Sequence, residues 1–63
     1  MCLSTVYREK VSAENIVLSN VTRIECQEDT VILTDLLERQ VVIHGSLIMA
    51  NLIDGLAIVR EAE

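Results

Sequence analysis

The residue with the clearest chemical potential is Cys2, which follows Met1 at the start of a 63-residue sequence. If Met1 is removed, Cys2 offers a free α-amine and a thiol that can close a chelate ring on one metal ion. The reference pKa values of these groups are about 7.7–8.0 and about 8.5, so a divalent metal must displace protons to bind at neutral pH. Position alone also allows that Cys2 has no chemical role.

A second copy of the chain would double the ligand set that Cys2 offers. Two amine nitrogens and two thiolates could then meet at a two-fold axis. Nitrogen and sulfur donors in a plane suit Ni(II) or Cu(II) better than Zn(II), which prefers a tetrahedron. The residues alone do not choose among these metals.

The other reactive residues have ordinary structural interpretations. Cys26 falls on the predicted inward face of a strand, as a small buried hydrophobe would. His44 ends an apolar strand just before Gly45, where a core or turn role is expected. The sequence contains no Cys-x-x-Cys, no His-Glu-x-x-His and no glycine-rich phosphate loop. We therefore predict a protein that is not an enzyme.

The charge balance bears on the partner. Ten acidic residues stand against five Lys or Arg, which gives a net charge of −5. Nucleic-acid binding depends on Lys and Arg that neutralise phosphates, so the charge disfavours RNA or DNA. The basic residues are also scattered singly along the sequence: Arg8, Lys10, Arg23, Arg39 and Arg60.

The apolar content points to self-association. The sequence is 51% hydrophobic, and Tyr7 is its one aromatic residue. A core of Val, Ile and Leu suits strands, but so short a chain buries only about 60% of the surface that its unfolded form exposes. A partner subunit could cover the remainder. No signal peptide or apolar run of the ~18 residues that a membrane span needs is present, so we expect a cytoplasmic protein with reduced thiols.

The hydrophobic pattern predicts one all-β domain over residues 1–63, a small barrel of about six to seven short antiparallel strands. A polar connection over residues 9–15 could include a helical turn capped by Ser12. Two glycines mark strand ends: Gly45 suits a tight turn or a bulge, and the pair Asp54-Gly55 is a favoured two-residue hairpin turn. Residues 34–40 could alternatively open a helix capped by Asp35. The predicted strands are residues 2–8, 16–18, 21–27, 30–36, 40–44, 46–53 and 56–60.

The sequence resembles the CooT family of small nickel-binding proteins across residues 1–61. The matching features are Met-Cys-Leu-Ser-Thr-Val-Tyr at residues 1–7, Val-Ile-Leu-Thr at 31–34, the apolar strand that ends in Gly45, and Asp-Gly-Leu-Ala-Ile-Val at 54–59. The family is linked to maturation of nickel-containing carbon monoxide dehydrogenase. Some members carry the older label "predicted RNA-binding protein".

The resemblance implies an SH3-like barrel, a homodimer, and Ni(II) bound by Cys2 at the dimer interface. The Cys2 thiolate would be the ligand, with backbone nitrogen near Cys2 and Leu3 as co-ligands. The expected function is that of a nickel metallochaperone that supplies a nickel enzyme or its maturation proteins. Two alternatives remain from the residues: a small RNA-binding barrel, or a barrel that docks on a protein partner and has no metal role.

Overall fold

The computed structural model describes residues 3–62, which form a closed five-stranded β-barrel. The predicted all-β barrel is confirmed, but the strand number is five instead of six to seven. A single 3-10 turn at Ala13–Asn15 lies in the first connection, after Ser12, whose side chain makes no capping hydrogen bond. The strands are Ser4–Arg8 (β1), Ile16–Cys26 (β2), Thr30–Asp35 (β3), Gln40–Asn51 (β4) and Leu56–Glu61 (β5).

The predicted strands 16–18 and 21–27 merge into β2, because the Ser19-Asn20 pair between them, whose residue types favour a turn, is a corner within a continuous strand. Asn20 adopts a left-handed conformation with φ of 56°, which Asn tolerates better than most residues. Before this corner β2 pairs with β1, and after it β2 pairs with β3; Val21 contacts both, opposite Ser4 and Asp35. The chain does change direction at Asn20, but it bends there without leaving the sheet.

Two further predicted strands merge into β4, and Gly45 is again the corner. Residues 40–44 pair with β3, and residues 45–51 pair with β5. At the crossover the Gly45 N–H donates to the Asp29 carbonyl at 2.9 Å. Glycine in a strand interior often marks a tight bend at a barrel corner, so Gly45 bends one continuous strand where the sequence predicted a tight turn or bulge between two strands.

The barrel closes through a parallel pairing of β1 with β5, in which Val6 lies beside Ala57. The other four pairings are antiparallel, so the prediction of a wholly antiparallel barrel needs this correction. Residues 56–59 and 5–8 run side by side in unbroken register. Residues 5–8 of β1 are therefore held against the last strand.

The core consists of small aliphatic side chains, as the composition predicts. Seven residues from all five strands form it, and Leu33, Val6 and Val59 have no exposed surface. The predicted burial of Cys26 and the predicted core or turn position of His44 are both wrong. Cys26 is exposed with a free thiol, because it lies at the end of β2, and His44 is exposed on β4 opposite Thr30. The core residues are Val6, Val21, Val31, Leu33, Ile43, Ala57 and Val59.

The connection between β3 and β4 is a turn built around the buried carboxylate of Asp35, which is 1% exposed. One carboxylate oxygen accepts the backbone N–H groups of Leu37 at 2.9 Å and Arg39 at 2.8 Å. The other accepts the Arg39 Nε–H at 2.7 Å. These local bonds satisfy the turn and exclude the alternative helix.

Asp35 makes stability depend on pH. Burial alone would raise the pKa of this carboxyl, but the N–H donors of Arg39 and Leu37 outweigh burial and hold the pKa below its ordinary value of 3.8. Because the pKa is depressed in the folded state, ionisation of Asp35 stabilises the fold above pH 3.8, and this contribution is lost as pH falls further through the folded-state pKa.

We therefore expect Asp35→Asn to lower the midpoint of urea unfolding at neutral pH, because the amide cannot replace the charge beside Arg39. The difference from the wild type should narrow as pH falls below 3.8. Urea unfolding across a pH series checks this, with Asp29→Asn, an exposed carboxyl in the β2–β3 turn, as the control. A difference that does not change with pH would contradict the assigned role of the charge.

Candidate metal centre at the N-terminus

The first strand, β1, begins beside the turn that joins β4 to β5. The Thr5 N–H donates to the Gly55 carbonyl at 3.0 Å, and the Leu3 carbonyl oxygen lies 3.2 Å from the position where a Gly55 side chain would begin. Gly55 has φ of 70°, which favours glycine. Residue 3 is therefore placed by backbone contacts, and its side chain is 40% exposed.

The β4–β5 turn is held by the side chain of Asn51. Its Oδ1 accepts the N–H groups of Ile53 at 3.1 Å and Asp54 at 3.0 Å, and its Nδ2 donates to the Asp54 carboxylate at 3.0 Å. The loop contains four residues, Leu52 to Gly55, instead of the two predicted at Asp54-Gly55. The turn beside Leu3 is thus firmly hydrogen-bonded.

Apolar side chains surround this end of the first strand. Leu52 is 78% exposed and Ile53 is 97% exposed, although water is an unfavourable environment for both. In the described part of the chain, ten large apolar side chains are exposed, at several places on the barrel. They are Leu3, Val11, Ile16, Leu36, Leu37, Val42, Ile48, Met49, Leu52 and Ile53.

Of the two predicted metal-site residues, Leu3 lies in the described part of the chain and Cys2 lies outside it. Within residues 3–62, no group of three or more His, Cys, Asp or Glu side chains is arranged to hold a metal ion. Cys26 and His44 do not assemble into a site with other ligands there. What the structure offers is a fixed and accessible start to β1 at Ser4, two residues after Cys2.

An open, charged groove lies at another place on the barrel, with a volume of about 580 Å³. Ion pairs cross it or flank it: Arg60 lies 3.4 Å from the Glu9 carboxylate, and Arg8 lies 2.9 Å from that of Glu61. Glu61 lies one residue beyond the predicted last strand, but it ends β5 and forms this exposed pair. Such pairs contribute about 0–1 kcal/mol each.

Asp35 is the polar residue whose importance the sequence did not reveal. The sequence pattern indicated only a possible helix cap at this position. The sequence does contain a signal for this role: Asp35 ends an apolar strand, and Arg39 follows four residues later. An Asp side chain commonly accepts N–H groups of the turn that follows it. Asp35 supports the barrel and contacts no candidate ligand.

The family model for "CO dehydrogenase accessory protein CooT" matches residues 1–60 of the 63. The chain belongs to the CooT family. The match includes Met1 and Cys2 as well as the whole of β1 to β4. It supports an accessory role toward carbon monoxide dehydrogenase, which is consistent with a CooT protein that is not itself an enzyme.

A solved structure supports the same fold. The crystal structure of a candidate CooT from Carboxydothermus hydrogenoformans is similar to this chain with a TM-score of 0.82 and 16% sequence identity. The similarity covers 98% of this chain and 100% of that one. No curated protein sequence matches the chain significantly. Among residues 3–62, no helix has the length and apolar character that crossing a membrane requires.

Proposed function

We propose that this CooT protein binds Ni(II) through Cys2 at a homodimer interface and delivers the ion to a nickel enzyme such as carbon monoxide dehydrogenase. Nickel is the cargo in this proposal. The Cys2 thiolate is the principal ligand, and backbone nitrogen near Cys2 and Leu3 completes the set from each protomer. The family match, which begins at residue 1 and so includes Cys2, is the observation that carries the proposal.

The geometry next to Cys2 supports a shared site. The backbone of Leu3 and Thr5 is held against Gly55, so the two preceding residues extend from a defined point. Leu3, Leu52 and Ile53 expose apolar surface there, which a second copy could cover. A thiolate at such a surface would remain within reach of the ligands of a recipient enzyme, as a delivery protein requires.

The proposal predicts that Cys2→Ser removes nickel binding. Losing the one thiolate per protomer should abolish the thiolate-to-nickel charge-transfer absorption and weaken affinity by more than about 100-fold, since even residues that only orient ligands contribute about 10–100-fold. Titration of Ni(II) into untagged protein, followed by absorption and calorimetry, is the measurement. We expect one ion for two protomers.

Cys26→Ser is the matched control, because Cys26 is a free and exposed thiol elsewhere on the barrel. It should bind nickel as the wild type does. Equal nickel affinity in the wild type and in Cys2→Ser would refute the proposal, whereas loss in Cys26→Ser alone would move the site to β2. Extra residues before Met1 should also weaken binding if backbone nitrogen near Cys2 is a ligand.

A further inference from the structure

The seam between β1 and β5, where the barrel closes, has an apolar outer face. Val6 on β1 and Ala57 and Val59 on β5 are almost fully buried and point into the core. Because side chains alternate between the two faces of a strand, Tyr7 and Ile58 point outward. These two residues are neighbours across the parallel pairing, and both are half-buried. The outer side of the seam therefore carries the one aromatic residue of the chain.

The same outer face continues onto the two flanking strands, because residues paired across strands lie on one face of the sheet. Ile16 on β2 pairs with Tyr7. Met49 on β4 pairs with Ile58, and a register shift just before it marks a bulge that sets Ile48 beside it. Ile16 and Ile48 are each 44% exposed, and Met49 is 39% exposed. We call these five uncharged residues the seam face: Ile16, Tyr7, Ile48, Met49 and Ile58.

The composition of the seam face is that of a contact surface. The outer face of a sheet that water covers normally carries polar residues, in alternation with the apolar residues that face the core. The seam face breaks this alternation at neighbouring positions on four strands. Aromatic residues and Met are enriched in protein interfaces, and Tyr7 and Met49 belong to these two classes.

The exposure of the seam face does not depend on residues 1–2 and 63, which lie outside the described range. Two residues reach about 7 Å, whereas the four steps from Leu3 to Tyr7 along β1 cover about 13 Å. Residue 63 follows a residue that lies four steps, again about 13 Å, beyond Ile58. Neither segment can cover the centre of the seam face.

The charges at one end of the seam face are complementary to themselves. Arg60 lies two residues beyond Ile58 on the outer side of β5, and its Nε is 3.4 Å from the Glu9 carboxylate, just after β1. The Arg60 and Glu9 side chains are 64% and 48% exposed. A two-fold axis between β1 and β5, parallel to both, sets β1 of each copy against β5 of the other. Each Arg60 then faces a Glu9 of the other copy, and four charges of alternating sign meet.

We infer that the seam face packs against the seam face of a second copy, about a two-fold axis that runs between β1 and β5 and parallel to them. Tyr7 then contacts Ile58 of the second copy, and Ile16 contacts Met49 of the second copy, each contact occurring twice. This inference rests on the homodimer of the proposed function and names its contact. Because the chain supplies both halves of the charge match, a second copy is favoured over an unrelated partner.

The direction of this axis also fits a shared metal ion. An axis parallel to β1 leaves the two β1 strands running the same way, so both N-terminal segments lie at one end of the dimer. The two Leu3 positions are then about 5 Å apart along the sheet, one strand spacing, and about 10 Å apart across the interface. An axis across the strands at Tyr7 would separate them by about 26 Å. Only the axis along the strands brings two copies of Cys2 within reach of one ion.

Aspartate substitution in the seam face tests the contact without nickel. We expect Ile16→Asp and Met49→Asp each to raise the dimer dissociation constant about tenfold or more, because symmetry buries two unpaired carboxylates in every dimer. Val42→Asp is the matched control, since Val42 is 50% exposed and pairs with Ile32 on β3, away from the seam face. It should dimerise as the wild type does. Sedimentation equilibrium in chelator-treated buffer measures the constants, and circular dichroism checks that each variant is folded.

Charge exchange tests the position of the axis. Glu9→Arg and Arg60→Glu should each weaken the dimer about fivefold or more, because each sets like charges against one another twice. An equal mixture of the two variants should form a heterodimer, and the double variant Glu9→Arg/Arg60→Glu should dimerise as the wild type does. Glu28→Arg and Arg23→Glu are the controls, because they change net charge equally at exposed positions away from the seam face. They should leave dimerisation unchanged.

Unchanged dimerisation in both aspartate variants would overturn the seam contact, and so would a wild type that stays monomeric in chelator-treated buffer. Single-reversal variants that fail to associate when mixed would overturn the axis between β1 and β5. The dimer of Cys2→Ser should be as stable without metal as that of the wild type. Nickel affinity that does not depend on Cys2 would refute the proposed function while leaving the seam contact intact, so the two proposals fail separately.

Discussion

Gly45→Ala is expected to destabilise the barrel by about 3 kcal/mol or more, at the upper end of the cost of overpacking. An added Cβ would overlap the Arg60 carbonyl oxygen and lie 2.9 Å from both the Arg60 carbonyl carbon and the Glu61 Cα. These are backbone atoms of β5, so no side chain can rotate away. The strands must separate at the corner where β4 changes partners.

Urea unfolding followed by circular dichroism measures this loss, and Ser46→Ala is the matched control. Ser46 is the next residue of β4 and is exposed, so its substitution should change stability by less than about 0.5 kcal/mol. Equal unfolding midpoints for Gly45→Ala and the wild type would show that β4 and β5 do not approach closely at residue 45. A reduced far-ultraviolet signal in Gly45→Ala would place the damage in the sheet itself.

Leu33→Ala is expected to remove a large part of the free energy of unfolding and to lower the urea midpoint well below that of the wild type. Leu33 lies on the central strand β3, is fully buried and belongs to the core cluster. Truncating a buried leucine costs about 2–5 kcal/mol. At roughly 0.05–0.15 kcal/mol per residue, the whole chain has only about 3–9 kcal/mol of stability. One core side chain is therefore a large fraction of the total.

Leu37→Ala removes the same atoms from a side chain that is 70% exposed, and it should cost less than about 0.5 kcal/mol. Thermal and urea unfolding of the two variants give the comparison. If both leucines cost the same, the barrel core is not where the described packing places it. A dimer that covers Leu37 would raise its cost, so the measurement should be repeated over a range of protein concentrations.

Much of the fold could be predicted from the sequence because local signals are strong in this chain. Alternating Val, Ile and Leu predicted the strands, and the absence of large aromatics predicted an aliphatic core, which Val6, Leu33 and Val59 confirm. The gap between the predicted strands 21–27 and 30–36 is the connection between β2 and β3, which pair antiparallel. The family resemblance, carried by residues 1–7 and 54–59, is confirmed by a match over residues 1–60.

The errors have a common physical cause. A residue such as Asn20 or Gly45 allows the backbone to change direction, but whether the chain reverses or continues depends on which strand is available beyond it. At both positions the strand bends and takes a new partner, so pairs of predicted segments became β2 and β4. Burial was misjudged at Cys26 because periodicity does not show where a strand ends relative to the core, and Cys26 is the last residue of β2 and is exposed.

By itself, the sequence determined the fold class and the aliphatic core, because these depend on residue types and short-range periodicity, and it predicted Cys2 as the candidate metal ligand. Only the tertiary structure decided that five strands close a barrel and that β1 pairs parallel with β5. Those features depend on contacts between residues far apart in sequence. No local pattern of hydrophobicity specifies which strand will lie next to which.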